Sequence, residues 1–377
     1  MPYVIKPVDN LFFRSSVPFE AGGETVGVKG IFPPLPSVYA GAFRPLYNAS
    51  EAGGQRLKIG MNGLWLDEGY YFPAPLDMQR LEVRRGEDWL LRPMGLKKRP
   101  LSNYPLDYFL HTASQAAGKS KEKKNLYLSE QDLSCYLNGC VNQVAAKDMD
   151  DGYIISESKI GIEVERGSGT SKNQQMYQVV SVRPAKGLKL AVDVSGVNVN
   201  DRQLIKLGGE GKTALVRNGQ HQLAIQVSKK EESRFFKLYL ATPAIFKNGW
   251  LPGWIDKAGM TGRFSYRKKS VKVRLISACV GRRVPCGGFG FDREAGQYRP
   301  KELRFAVPAG SVYYFELLQG TIEEAAALFD RKTISDYREG LGFDYKVFDR
   351  SRYCDRGFGY ALVGALSEEQ EEVIDVR

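Results

Sequence analysis

The chain has 377 residues, 43% of them hydrophobic, with 20 Tyr and 19 Phe, so it can bury real cores and is long enough for two domains. Lysine and arginine outnumber acids 54 to 43, a formal charge of +11 that favours a polyanionic partner. Five cysteines without a CxxC spacing, and only His111 and His221 beside them, argue against a structural zinc site and for a reducing compartment.

Met1–Lys6 has no basic-then-apolar leader pattern, and no apolar run reaches the length of a membrane span. The expected location is therefore the cytoplasm, with no membrane partner. Tyr3–Phe13, β-branched and aromatic with partial alternation, predicts a strand. Pro34–Pro36 interrupts regular structure, and Ser37 is the expected N-cap of a short helix reaching Tyr47, with Arg44 on it. Short strands are expected at Gly63–Leu66, Tyr70–Pro73 and Trp89–Arg92. Ala116–Lys124 is polar and basic and reads as an exposed turn. Ser129 is placed to cap a small helix to Asn138. Ile160–Glu165 and Met176–Val182 flank the Gly-rich, basic run Arg166–Lys172, which predicts a long β-hairpin with a basic tip. Leu188–Val194 is a strand, and another is expected near Ala214–Val216.

The charged stretch Arg217–Arg234 holds the expected boundary between domains 1–220 and 221–377, although Leu223–Val227 reads as an intruding apolar strand. Phe235–Leu240, Val271–Val280 and Ser311–Leu317 predict strands. Thr242–Gly262 is irregular, with room for a first helix. Thr321–Phe329 predicts a helix with Thr321 as N-cap and Glu324 at the capping-box position. A closing glycine loop leads into a strand at Tyr360–Leu366, and an acidic tail follows at Glu368–Glu372. Both halves suit a split βαβ plan, so the expected fold class is α+β: two ferredoxin-like domains with insertions. In each half a glycine cluster precedes the last strand, although no clean repeat is visible.

Leu207-Gly208-Gly209-Glu210-Gly211-Lys212 ends like a nucleotide-binding P-loop, but Lys206 stands where that motif needs glycine, and its flanks are not strand–loop–helix. Two readings stay open for it: a tight turn, or backbone N–H groups offered to RNA phosphates. Arg356-Gly357-Phe358-Gly359-Tyr360 resembles the opening of the RNA-recognition-motif octapeptide. It opens a last strand rather than a third one, and Val363 replaces the final aromatic, which argues against a base-stacking platform. Arg282-Arg283 follow one strong strand, while Arg263, Arg267, Lys268 and Lys269 precede it. Basic loops repeated at one sheet end point to a phosphate-facing surface. The aromatic run Thr242–Pro252, with Trp250 and Trp254 around it, suits core or subunit packing. No nucleophile–base pair or carboxylate cluster is readable, so neither catalysis nor a cofactor is expected.

Several segments in order resemble a known family. They are Asp9–Arg14 with Val17–Phe19, Pro34–Arg44, Phe72–Asp77, Leu207–Lys212, Leu240–Phe246, Val307–Phe315 and Gly357–Gly359. Together they are similar to the third subunit of the Cmr effector, the type III-B CRISPR ribonucleoprotein, a repeat-associated mysterious protein. The resemblance spans nearly the whole chain. It implies a non-catalytic subunit that holds the repeat-derived 5′ tag of the CRISPR RNA. It also implies contact with the large polymerase-like subunit and the first backbone subunit. The Ile160–Val182 hairpin matches an insertion that acts as a thumb on the guide in related subunits. The candidate RNA-contacting residues are Arg44, Arg166, Lys172, Gly208, Gly209, Gly211, Lys212, Arg282, Arg283, Arg356, Gly357 and Gly359. The alternatives are an endoribonuclease maturing CRISPR RNA, for which His111 is the residue to test, and a protein-only scaffold.

Overall fold

The computed structural model describes residues 2–14, 27–48, 55–101, 103–112, 125–139, 143–165, 167–168, 170–219, 221, 223–227, 233–266, 268–292, 295–336 and 352–375. In chain order the elements begin with β1 (Pro2–Pro7), β2 (Gly27–Lys29), α1 (Pro36–Phe43), β3 (Lys58–Leu66) and β4 (Gly69–Pro73). Next come β5 (Met78–Arg85), β6 (Asp88–Pro93), β7 (Gly95–Lys98), β8 (Tyr108–His111), β9 (Leu126–Ser129), α2 (Glu130–Leu137) and β10 (Val144–Asp148). β11 (Ile154–Val164), β12 (Ser171–Pro184), β13 (Lys189–Ser195), β14 (Gln203–Lys206) and β15 (Thr213–Asn218) follow. After a connector come β16 (Phe235–Leu240), β17 (Thr261–Tyr266), β18 (Lys269–Cys279), β19 (Val284–Cys286), β20 (Phe289–Asp292), β21 (Gln297–Pro300) and β22 (Arg304–Ala306). The chain closes with β23 (Val312–Gln319), α3 (Ile322–Phe329), β24 (Lys332–Thr333), β25 (Tyr360–Gly364) and α4 (Glu368–Asp375).

The fold is α+β, built on two sheets. A ten-stranded sheet runs β14-β15-β1-β13-β3-β4-β9-β10-β6-β5, and a six-stranded sheet runs β17-β18-β23-β16-β25-β24. The registered pairs within both are antiparallel. Strands β11 and β12 form the long hairpin expected from the sequence, extended by a parallel pairing of β12 with β2. Strands β19–β22 form a second arm, in which β19 pairs with β22 and β20 with β21, each pair antiparallel.

Three apolar layers hold the sheets. Helix α1 lays Tyr39, Ala40 and Phe43 on Ile5, Leu190, Val192 and Val216 on one face of the larger sheet. Helix α3 lays Ala325, Leu328 and Phe329 on Phe236, Leu238 and Phe315 of the smaller one. Between the sheets, Met61, Trp65, Tyr70 and Phe72 meet Phe235, Tyr239, Tyr314 and Leu362, with Leu133 and Tyr136 of α2 wedged among them. Strand β16 is buried at all six positions because it faces a core on each side, which is why it reads as a continuous apolar run. Its one charge, Lys237, is 2% exposed. Its ammonium lies 3.6 Å from the centre of the Tyr136 ring and donates to the Tyr136 carbonyl at 2.9 Å.

Several elements follow local chemistry as read. Ser129 accepts from the Asp132 N–H at the start of α2, and Thr321 and Glu324 form a complete capping box on α3. Other expectations need correction. Ser37 is not the cap of α1: Leu35 is the N-cap residue and makes no side-chain cap bond, while Pro36 takes the first helical position, where a missing N–H costs nothing. Pro45 then ends the α-helical ladder, so Arg44 opens a 3-10 turn instead of lying on the helix. Leu223–Val227 is not a strand. Its backbone bonds side chains instead: Ala224 N–H donates to Glu130 Oε2, and Ser134 Oγ and Asn138 Nδ2 donate to the Gln226 carbonyl.

No helix forms in Thr242–Gly262. Pro243 and Pro252 break the ladder, and the Asp336 carboxyl organises the turn by accepting from Lys247 and Gly253 N–H at 2.6 and 2.8 Å. Burial pushes that carboxyl above the usual aspartate range. The acidic tail is helix α4, held by Ile374 and by Gln370, whose amide donates to the Met94 carbonyl at 2.9 Å. Ala116–Lys124 lies outside the described residues.

Candidate nucleic-acid interface

The two glycine loops are turns feeding edge-adjacent strands, at opposite ends of β1. The loop at 207–212 joins β14 to β15 beside the end of β1 near Val8, whose N–H donates to the Thr213 carbonyl. Gly208 has φ +89°, and a Cβ there would meet the Phe12 carbonyl oxygen at 2.5 Å, so only glycine fits. Gly209 donates its N–H to the same carbonyl. Gly211 faces open space, and Lys212 reaches Asp9 at 3.3 Å. The Asn10 N–H, followed by Lys212, holds the Asp9 carboxyl below its ordinary range.

The loop at 355–359 instead docks on β3, near the start of β1. The Ile59 N–H donates to the Asp355 carbonyl at 2.8 Å, and Lys58 pairs with Asp355 at 3.8 Å. Gly357, at φ +85°, leaves no room for a Cβ against Ile59 and Asn62. Thr242 Oγ1 clamps the loop, donating to the Gly357 carbonyl and accepting from the Tyr360 N–H, each at 2.8 Å. Gly357 and Gly359 spend their N–H groups on the Cys354 and Pro243 carbonyls. Together with Gly209, these N–H groups are engaged within the chain and are not held open for a phosphate. Arg356 is half-buried in this loop. Beside it a cleft of about 610 Å³ is lined by Lys58, Asp193, Arg331, Lys332, Asp355 and Tyr360. Burial raises the Asp193 carboxyl above its ordinary value.

The exposed basic candidates lie elsewhere. Arg44 is exposed on its 3-10 turn. Arg282 and Arg283 are exposed where β18 gives way to the β19–β22 arm. The Arg283 guanidinium lies 4.2 Å from the centre of the Phe305 ring, which braces it by its face. Neither arginine has an ion pair among the described residues. Arg166 lies outside the described residues, and Lys172 sits at the start of β12. Trp254 is taken up in the core, stacked on Phe315 and Phe329 at 5.9 and 5.5 Å, while Trp250 is 37% exposed.

Sequence reading passed over Lys98, Lys272 and Arg274, which come onto one face beside Arg263. Cross-strand register brings them together, and register is not visible in local pattern. The two histidines are not paired. His111 is exposed on β8, whereas His221 bonds Glu130 at 2.7 Å and lies edge-on to Trp65. Among the described residues there is no group of three His, Cys, Asp or Glu able to hold a metal, and no helix is long and apolar enough to cross a membrane.

Antiparallel sheets of this order, with few helices and the long β11–β12 hairpin, define an α+β protein. A chain of the cryo-EM structure of the type III-B Cmr-beta bound to cognate target RNA matches with a TM-score of 0.50 at 14% identity, covering 96% of each chain. This chain belongs to the CRISPR-associated protein (Cas_Cmr3) family, whose model matches residues 3–366. It is thus a subunit of the type III-B effector class that the sequence resembles. Two further structures resemble it more loosely. A chain of Cmr-beta bound to cognate target RNA and AMPPnP gives a TM-score of 0.46 at 16% identity, covering 83% of this chain and 86% of that one. A chain of the Csm3-Csm4 subcomplex of the type III-A interference complex gives 0.31 at 12%, covering 85% and 93%. No curated protein matches the sequence.

Proposed function

We propose that this chain is a non-catalytic RNA-holding subunit of the type III-B ribonucleoprotein. It grips the repeat-derived 5′ tag of the CRISPR RNA and docks the large polymerase-like subunit and the first backbone subunit. Its frame is two ferredoxin-like units, 1–220 and 221–377. Strand order supports this reading: β15-β1-β13-β3 and β25-β16-β23-β18 both run fourth, first, third, second within their unit. Each unit keeps one of its two helices, α1 in the first and α3 in the second.

The observation that carries the RNA reading is the exposed pair Arg282–Arg283 at the root of the arm, on a chain of net charge +11. A guanidinium stacked by its face on Phe305 keeps its N–H edges available for phosphate oxygens. The β11–β12 hairpin supplies the thumb-like projection. Arg282→Ala with Arg283→Ala is expected to weaken binding of tag-bearing RNA about tenfold, with the RNA recovered intact after long incubation. Unchanged affinity would refute this grip. RNA cleavage that is lost in His111→Ala would put the endoribonuclease in its place.

A further inference from the structure

We propose that the outward face of the β17–β18 hairpin, carrying Arg263 and Lys272, is a sequence-independent shelf for the sugar-phosphate backbone of single-stranded RNA. This goes beyond the tag grip and shares with it only the class of ligand. Phe264, Val271 and Val273 point into the core under α3. The register pairs Arg263 with Lys272, Thr261 with Arg274 and Ser265 with Ser270, so period-two alternation puts these six on the opposite face. Strand β8 lies against β18, and Lys98 and Arg99 at the end of β7 join Asp107, Tyr108 and Arg274 around a groove of about 340 Å³.

The charge on this face is only partly compensated among the described residues. Its two carboxylates both go to Arg274: Glu316 receives its Nε at 3.0 Å, and Asp107 lies 3.7 Å from its Nη1. Lys98, Arg263 and Lys272 have no ion pair among the described residues. Arg263 is steadied by donating to Gln319 Oε1 at 2.7 Å. Two cations directly across an antiparallel ladder repel, so the free fold carries a cost that a polyanion removes. The remaining outward side chains of the hairpin are hydroxyls: Thr261 across from Arg274, and Ser265 hydrogen-bonded to Ser270 at 2.7 Å on the far side of the Arg263–Lys272 pair. Hydroxyls suit phosphates and the 2′-OH, whereas an acidic protein partner would need an apolar anchor in the middle of the face.

The test measures binding of the full chain to two unrelated unstructured RNAs between roughly 50 and 200 mM salt. Arg263→Gln with Lys272→Gln is expected to flatten the slope of log K against log salt by about 1.4, for two lost phosphate contacts at about 0.7 each, equally for both RNAs. Arg263→Lys with Lys272→Arg keeps the slope. The glutamine pair should also leave the urea midpoint unchanged or raised, since it removes a repulsion. Wild-type binding with an unchanged slope in the glutamine pair overturns the shelf alone. An effect on one RNA only overturns it as a sequence-independent site. Loss of a co-purifying acidic subunit with RNA binding intact assigns the face to protein and overturns it too. A wild-type chain that binds neither RNA overturns both this shelf and the RNA-holding function.

Discussion

Tyr314→Phe is expected to loosen the union of the two sheets. Asp77, fully buried in the β4–β5 connection, accepts from the Tyr136 hydroxyl at 2.6 Å and from the Tyr314 hydroxyl, both through Oδ2. Its Oδ1 has no partner. The three residues come from the β4–β5 turn, α2 and β23, so the knot ties the first sheet to the second through their shared core. A hydrogen bond to a charged group contributes about 1.5–3 kcal/mol. Tyr314→Phe should therefore cost about 2 kcal/mol. Tyr136→Phe with Tyr314→Phe strands the carboxylate and should cost about 3–5 kcal/mol. Asp77→Asn should be milder than that pair, because the amide oxygen still accepts both hydroxyls. The assay is urea unfolding followed by tryptophan fluorescence and by far-UV dichroism, with midpoints compared at constant slope. A double-mutant cycle should give a coupling above about 0.5 kcal/mol, because the hydroxyls share one acceptor. A cost below about 0.5 kcal/mol for Tyr314→Phe would refute the knot. Separate transitions by the two probes would refute the shared core.

Burial holds the phenols of Tyr39, Tyr127, Tyr239 and Tyr313 above their ordinary value of 10. Their contribution to stability is complete below pH 10 and is lost as pH rises above it, at roughly 1.4 kcal/mol per pH unit for each buried phenol. Urea midpoints at pH 9, 10 and 11 should fall steeply, and a flat profile would show that these tyrosines reach water in the native state. Gly357→Ala combines left-handed strain of about 1–2 kcal/mol with a clash on Ile59, for a total of roughly 3 kcal/mol. Gly211→Ala, at φ +65° in open space, should cost about 1 kcal/mol, and equal costs would mean that the docking on β3 is unimportant. Burial pushes the Cys286 thiol up to about 12, so alkylation of the native chain at pH 8 should label exposed Cys135 well before Cys286. Comparable labelling rates in peptide mapping would contradict that burial.

Much of this protein was legible in sequence. Capping chemistry marked α2 and α3, because a Ser or Thr oxygen three residues before a free N–H acts locally. Apolar runs marked β13, β16, β18 and β23, and the basic run between two alternating segments marked the β11–β12 hairpin. Glycine clusters before the last strand of each half were visible as well. What they do was not, because the atoms that exclude a Cβ at Gly208 and Gly357 come from Phe12 and Ile59, far away in the chain. The acidic run at 368–372 read only as an acidic tail and not as a helix, since just one isoleucine and one glutamine are buried on it. By itself, then, the sequence determined the longer apolar strands, the caps of α2 and α3, the positive charge and the family, all of which are written in short-range pattern. Only the tertiary structure decided which strands pair, that Asp77, Tyr136 and Tyr314 converge, and that Arg263 stands across from Lys272, because register and sheet-to-sheet packing join residues through space rather than along the chain.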